Sequence, residues 1–234
     1  MNCATLLAPK LGDRHQFAGD DTRQQSLPPA WASDPRAAVL ERIQAVLILP
    51  GGVLYDDTLW WRWLTQLLSR MGLHTHAGAL RELWLREYYA RVCRGEQSYW
   101  DALKTFLLAA GLSRGQFDEV WAAGRPRWRN YRDELRPFPH VAAALSELQT
   151  AGCAIGVFAQ SPETANRIAE RYQQMGIGQF IDCIVTSRDL AEPSPSGAGR
   201  IAALDRLGFS LPGTALVHHE EGGATGDFLH LGEL

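Results

Sequence analysis

The sequence lacks the features that mark membrane, secreted and nucleic-acid-binding proteins. Apolar runs such as Ala45–Leu49 are far too short to cross a bilayer. The net charge of -3 gives no general attraction to nucleic acid or to acidic membrane surfaces. The N-terminus has no basic segment followed by a long apolar stretch, so we expect no secretory signal. We therefore expect a cytoplasmic protein with no nucleic-acid and no membrane partner.

Cysteine is scarce, and its spacing excludes the usual metal and disulfide patterns. The four cysteines, Cys3, Cys93, Cys153 and Cys183, are scattered and form no C-x-x-C pair. A disulfide framework or a zinc site would need paired or clustered thiols. We interpret them as reduced thiols, which fits a cytoplasmic chain.

The composition is that of an ordinary globular protein. The 234 residues are 46% hydrophobic and 21% charged, which is enough to form one core domain with a small inserted domain. The first part of the chain differs, because it is polar and carries several prolines and glycines. We predict that residues 1–38 form a flexible arm.

Four short apolar runs predict the buried parallel strands of an α/β fold. They are Ile43–Leu49, Cys153–Ala159, Ile181–Thr186 and Thr214–His218. Helical patterns separate the last three runs. One begins at Ser161, with Pro162 at its first helical position, and the other spans Ser196–Leu207 and ends at Gly208. Strands alternating with helices predict a Rossmann-like, doubly wound parallel sheet.

A long helical insert follows the first strand. Helical patterns occupy Thr58–Met71, Gly78–Cys93, Tyr99–Ala110 and Gln116–Ala123, and Gly72, Gly95, Gly111 and Gly124 punctuate them. An insert at this point lies over the carboxyl ends of the strands, where open α/β sheets bind ligands. We therefore predict an α-helical cap at residues 57–135 on an α/β core formed by residues 39–56 and 136–234.

Several local patterns resemble one known family. Gly52-Val-Leu-Tyr-Asp56 resembles an Asp-x-Asp-Gly-Val-Leu turn, and Leu135-Arg-Pro-Phe-Pro-His-Val141 resembles the return from a cap. Glu192-Pro-Ser-Pro-Ser-Gly197 resembles a Lys-Pro-x-Pro segment. These patterns occur in the haloacid dehalogenase superfamily, in its phosphatase-like group with a helical cap after the first strand. The similarity extends from about Ile43 to Glu221.

The resemblance implies aspartyl-transfer chemistry with magnesium, but the required side chains are absent. Leu49 stands at the position of the nucleophilic aspartate, and Gly51 stands at the position of the acid. Ala159 replaces the hydroxyl residue, and Glu192 replaces the lysine. At the metal motif, His219 falls at the glycine and Glu220 at the first acid, but Ala224 falls at the second acid. Removing any single member of such a cooperating set typically costs several kcal/mol of transition-state stabilisation, and here several members are absent together.

The sequence therefore favours a catalytically inactive member of the superfamily. We predict that it acts by binding, in a regulatory, scaffolding or ligand-sensing role, and that it needs no cofactor. The alternative is a hydrolase of a small phosphate ester or related substrate with a displaced site. That site would use Asp56 or Asp57 together with Ser161, Glu192 and Glu220, and only this alternative would require magnesium. The candidate metal ligands are then Glu220 and His219, although no metal is expected.

Two further features concern ligands and partners. A small anionic ligand would bind at Gly51, Gly52, Gln160 and Ser161, through backbone N–H groups. The simpler interpretation of the two glycines is a turn that needs small residues. The chain after the fourth strand, residues 222–234, is too short for a further strand and helix, so we predict an exposed sheet edge that a partner or a second copy would cover.

Aromatic residues are concentrated in the cap, which carries seven of the eight tryptophans. Trp60 and Trp63 lie on one apolar stripe, so we expect them in the cap core. Trp61 points away from that stripe and, with Tyr88 and Tyr89, is a candidate exposed patch for a protein partner or self-association.

Cations and aromatics alternate from Arg125 to Arg136. We interpret this segment as a solvated helix face near the cap hinge, with contact to an anion as the alternative.

Overall fold

The computed structural model describes residues 43–74, 76–190, 197–209 and 213–219. The predicted N-terminal arm, the C-terminal sheet edge beyond residue 219, Glu192 and Glu220 lie outside these residues.

A four-stranded parallel sheet forms the core, as predicted. Its strands are β1 (Ala45–Ile48), β2 (Ala154–Ala159), β3 (Cys183–Thr186) and β4 (Thr214–Val217), in the order β3-β2-β1-β4. Ala45 pairs with Ala154 on one side and with Thr214 on the other, so β1 is central. All four residues of β1 are buried, which explains why its sequence is apolar throughout.

Helices cover both faces of the sheet. On one face, Val46 and Ile48 pack with residues of α6 (Val141–Thr150) and α7 (Ala165–Gln174). On the other face, Leu47 packs with residues of α9 (Gly197–Leu207). Alternate side chains of β1 therefore pack into separate hydrophobic clusters on the two faces of the sheet. Helices on both faces of a parallel sheet are the doubly wound arrangement. A 3-10 turn (Gly178–Phe180) and α8 (Ser187–Leu190) complete the crossovers.

The residues between β1 and α6 form a helical cap with its own core. Its helices are α1 (Leu59–Arg70), α2 (Ala77–Leu83), α3 (Ala90–Cys93), α4 (Tyr99–Ala109) and α5 (Arg114–Glu134), with a π-helical turn at Trp84–Tyr89 between α2 and α3. Trp60, Leu64, Trp84 and Phe106 are buried together in the cap core. Of the helices in the described ranges, none combines the length and apolar character needed to cross a membrane.

The longest cap helix corrects one prediction. We predicted a helix that ends before Gly124, but α5 continues through Gly124 and Pro126 to Glu134. A Cβ atom on Gly124 would lie 2.9 Å from Cη2 of Trp100 and 3.3 Å from Cη2 of Trp60. Gly124 therefore permits close packing of two indole rings, and it does not end the helix.

The predicted aromatic surface patch is wrong. Trp61 is only 8% exposed, and its ring centroid lies 5.9 Å from that of Trp84. Tyr88 stacks on Trp84 with ring planes 4° apart, and Tyr89 is half-buried in the same cluster. The reason is that neighbouring cap segments cover α1 on more than one side, so a single apolar stripe underestimates how much of it is buried.

The start of α7 also differs from the prediction. Thr164 is the capping residue, because its hydroxyl accepts a hydrogen bond from the N–H of Arg167. Ser161 instead accepts from the N–H of Glu163 within the preceding loop. Pro162 consequently lies before the helix.

Candidate functional site

The candidate site lies at the carboxyl ends of β1 and β2, where the chain crosses into the cap. Leu49 directly follows β1, and its N–H donates to the carbonyl of Val217 over 2.9 Å. Ala159 ends β2, is 4% exposed and pairs with Thr186. The two strand ends thus present a hydrocarbon and a methyl group where the resemblance implies a carboxylate and a hydroxyl.

The turn after β1 is closed by a hydrogen bond between its own backbone groups. Gly52 has φ +72°, and its N–H donates to the carbonyl of Tyr55 over 2.9 Å. That N–H is therefore not available to an anion, contrary to the prediction of an anion site at Gly52. A Cβ on Gly52 would lie 2.7 Å from Cβ of His219. Gly52 is required by the turn and by the close approach of His219.

Asp57 occupies the space that a side chain at position 51 would fill. A Cβ on Gly51 would lie 2.8 Å from Cγ of Asp57, and even closer to its Oδ2. The same Oδ2 accepts a hydrogen bond from Nη2 of Arg81, on α2, over 3.2 Å. Gly51 is not in the left-handed region, so its backbone would tolerate a side chain. The carboxylate of residue 57 therefore replaces, in space, the acid absent from position 51.

Burial sets the protonation behaviour of Asp57. Desolvation raises the pKa of its carboxyl above the ordinary aspartate value, and the Arg81 charge acts against that rise. His219 also lowers this pKa, while the nearby Asp56 charge raises it further. A carboxyl with a raised pKa in a cleft is a group that can hold or deliver a proton.

Asp56 has a different role. Its carboxylate pairs with Arg62 and accepts hydrogen bonds from the N–H and the hydroxyl of Thr58, at 2.9 Å and 2.6 Å. Partial burial acts to raise the pKa of Asp56, but the two Thr58 hydrogen bonds and the Arg62 charge lower it overall. Asp56 thus fixes the first turn of α1 as an ionised carboxylate.

Three tyrosines lie around the hinge. Burial raises the pKa of Tyr55 to about 12. Burial, followed by the Asp57 charge, raises the pKa of Tyr131 on α5. Tyr89 donates from its hydroxyl to the carbonyl of Gln160 over 3.4 Å, which joins the cap to the end of β2. The raised pKa values keep the hydroxyls of Tyr55 and Tyr131 protonated at neutral pH.

The structure brings some predicted site residues together and not others. Gly51, Gly52, Asp57 and His219 form one contact group. Gln160 and Ser161 follow β2, and the Ser161 hydroxyl is engaged with the Glu163 N–H.

Sequence reasoning missed Arg81 and Tyr131. Arg81 is a single polar residue within a helical pattern, and Tyr131 is one of the aromatics of the Arg125–Arg136 segment. Only the folded arrangement reveals their proximity to Asp57.

Among the described residues, those around Leu49 offer few ligands for magnesium. Leu49 offers no oxygen ligand, the Asp57 carboxylate is bound to Arg81, and His219 packs on Gly52. Throughout the part of the chain that the structure describes, no group of three or more His, Cys, Asp or Glu side chains is placed to hold a metal. Glu220 lies outside that part, and the expectation that no metal is bound stays a prediction.

Comparisons with known proteins agree with this fold. No curated protein is significantly similar in sequence. The L-2-haloacid dehalogenase RSc1362 is 18% identical, with a TM-score of 0.50 over 75% of this chain and 77% of that chain. An L-2-haloacid dehalogenase from Xanthobacter autotrophicus with chloropropionic acid covalently bound is 17% identical, with a TM-score of 0.47 over 75% and 69% of the two chains. At 18% identity, the likeness to RSc1362 supports the fold alone. The family model of haloacid dehalogenase-like hydrolases matches residues 51–218, and the chain therefore belongs to that family.

Proposed function

We propose that this chain is a non-catalytic haloacid dehalogenase-like protein that acts by binding, in a regulatory, scaffolding or ligand-sensing role. The observation that carries the proposal is Leu49 at the end of β1. Aspartyl transfer begins with a carboxylate at this strand end, and a hydrocarbon side chain has no lone pair for the attack.

The adjacent charges support the same proposal. The Asp57 carboxylate and the Arg81 guanidinium are 3.2 Å apart and bind each other. Each charge therefore neutralises the other, whereas a phosphoryl-transfer site needs cations directed at the transferring group. Ala159 adds no hydroxyl to hold that group.

A displaced-site hydrolase is the second candidate, and one observation favours it. Asp57 is a half-buried carboxyl with a raised pKa in the space beside Gly51, which suits a general acid. In that case water would attack the phosphorus of a small phosphate ester, the P–O bond to the leaving oxygen would break, and Asp57 would protonate that oxygen. The attacking water would release its proton to solvent, from which Asp57 would be protonated again. This candidate explains Asp57 but gives no role to Leu49.

Assays of turnover separate the two candidates. We would measure phosphate release from a panel of small phosphate esters and halide release from 2-chloropropionate, each with and without magnesium. Our proposal predicts the same background release from the wild-type protein and from an Asp56→Asn, Asp57→Asn double variant purified in parallel. The shared background would then report contaminating enzymes.

One outcome would overturn the proposal. If the wild-type protein turns over a substrate and the double variant does not, the carboxylates at the hinge are catalytic and the displaced-site hydrolase is correct. A far-UV circular dichroism spectrum of the double variant establishes that the loss does not come from unfolding.

A further inference from the structure

A groove of about 550 Å³ runs between α1 and α5 on the flank of the cap. Its volume is within the range of small-molecule sites. Leu59, Trp63 and Pro126 give it apolar walls, and Arg127, Asn130 and Glu134 give it polar groups. Leu59 is 44% exposed, so its side chain is accessible to a ligand in the groove. An apolar groove with a few polar groups is the typical lining of a ligand site.

Arg127 is the cation of this groove, and an aromatic ring holds it in place. Its guanidinium carbon lies 5.4 Å from the ring centroid of Trp63. Among the residues that the structure describes, Arg127 pairs with no carboxylate. A guanidinium stacked on an indole keeps its N–H edge available, and that planar edge matches a carboxylate with two parallel hydrogen bonds.

The position of Glu134 restricts the ligand further. Glu134 lines the same groove seven residues after Arg127, which is about 10 Å along a helix. A ligand with a second negative group at that end would be repelled. A single negative charge near Arg127 and an uncharged body toward Glu134 therefore match the groove.

The neighbouring arginine provides a natural control. Arg125 lies on the same helix and also stacks on a tryptophan, with its guanidinium carbon 4.8 Å from the ring centroid of Trp121. Neither Arg125 nor Trp121 lines the groove. The two arginines thus carry the same charge, lie on the same helix and each stack on a tryptophan. Of the two, only Arg127 lines the groove.

We propose that the groove between α1 and α5 binds a small monocarboxylate with an apolar body. Arg127 holds the carboxylate, Asn130 offers a hydrogen-bonding amide, and Leu59, Trp63 and Pro126 contact the body. The site includes neither Leu49 nor Asp57, although Tyr131, which also lines the groove, lies near Asp57. It does not depend on whether the protein is catalytic.

The test is a titration of intrinsic tryptophan fluorescence, because Trp63 lines the groove. The probes are 3-phenylpropanoate and two compounds of similar size, 3-phenylpropan-1-ol and 3-phenylpropan-1-amine. We expect the carboxylate to bind about tenfold or more tightly than either analogue. Arg127→Gln should weaken its binding about tenfold, whereas Arg125→Gln, with the same loss of charge, should change it less than about twofold.

A second variant tests the location. Ala123 is exposed and lines the groove, so Ala123→Phe fills the groove without changing charge and should weaken binding about tenfold as well. Unchanged melting temperatures would show that the variants are folded. Four results would each overturn the proposal. They are equal losses of affinity in the two arginine variants, tighter binding of the amine than of the carboxylate, retained affinity in Ala123→Phe, and no saturable signal up to about 10 mM carboxylate.

Discussion

At the site, neighbouring side chains occupy the space that two glycines leave open. Gly51 leaves a space that the Asp57 carboxylate fills, and Gly52 leaves a space that the His219 ring fills. Restoring an acid at position 51 would therefore displace Asp57 from Arg81 instead of simply adding a functional group. The absence of a side chain at position 51 is linked to the packing of Asp57, so a single substitution does not recreate the family's site.

The first prediction concerns Gly51. Gly51→Ala should lower the free energy of unfolding by about 1–3 kcal/mol, because the new methyl group would overlap the Asp57 carboxyl that Arg81 holds in place. Chemical denaturation measures the change.

A double-mutant cycle identifies the cause. In an Asp57→Ala background the overlap is gone, and Gly51→Ala should be neutral or stabilising by up to about 1 kcal/mol, because alanine restricts the unfolded chain. The same loss in both backgrounds would mean that the cost of the methyl group does not arise from Asp57.

At the level of elements, α5 shows how packing overrides a local signal. Glycine in a helix interior usually weakens the helix, yet α5 carries Gly124 and Pro126 and still extends over 21 residues. Tertiary contacts compensate, because Trp60 and Trp100 pack against the bare Cα of Gly124. The helix is longer than its sequence suggests because aromatic side chains of the cap core pack against it at Gly124.

The second prediction concerns this contact. Gly124→Ala should destabilise the protein by about 1–3 kcal/mol, because its Cβ would lie 2.9 Å from Cη2 of Trp100, which is too close for two carbon atoms. Gly115, near the start of the same helix, has open space around the position of a Cβ. Gly115→Ala should therefore be neutral or stabilising by up to about 1 kcal/mol.

Thermal and chemical unfolding of both variants checks this difference. Equal effects at the two positions would mean that helix propensity, and not the tryptophan contact, determines the role of Gly124.

Some elements could be predicted from the sequence, and others depend on contacts that it does not display. The four strands were predictable because both faces of the sheet are covered, which requires continuous apolar runs. The start of α7 was not, because Ser161 and Thr164 are both suitable caps and only the fold selects Thr164. The replacement of the acid at Gly51 by Asp57 was also hidden, since it depends on the path of the turn between them.

In the whole molecule, cap and core meet through a small set of contacts around the hinge. The two connecting segments lie side by side, with the N–H of Phe138 donating to the carbonyl of Leu54 over 2.9 Å. Tyr89 reaches Gln160 from the cap. Asp57 lies beside Gly51 of the core and accepts a hydrogen bond from Arg81 of the cap, so it joins the turn after β1 to α2.

The last prediction concerns the pH dependence of global stability. Burial raises the pKa of Asp57 in the folded state above its unfolded value. The folded protein therefore binds this proton more tightly, and the contribution of Asp57 to stability is fully present below the unfolded pKa of about 4. It is lost as the pH rises through the higher folded pKa. Asp57→Asn removes the titration and keeps the size of the side chain.

The difference in unfolding free energy between the wild type and Asp57→Asn should accordingly shift in favour of the wild type as the pH falls from about 7 to about 4. Arg81, Asp56, His219 and Tyr131 interact with the same carboxyl. Repeating the pair of measurements in a His219→Gln background removes the effect of the imidazole on the Asp57 carboxyl. A shift in the opposite direction would mean that the attraction of Arg81 outweighs burial, and that Asp57 is an ordinary ionised partner of the cap.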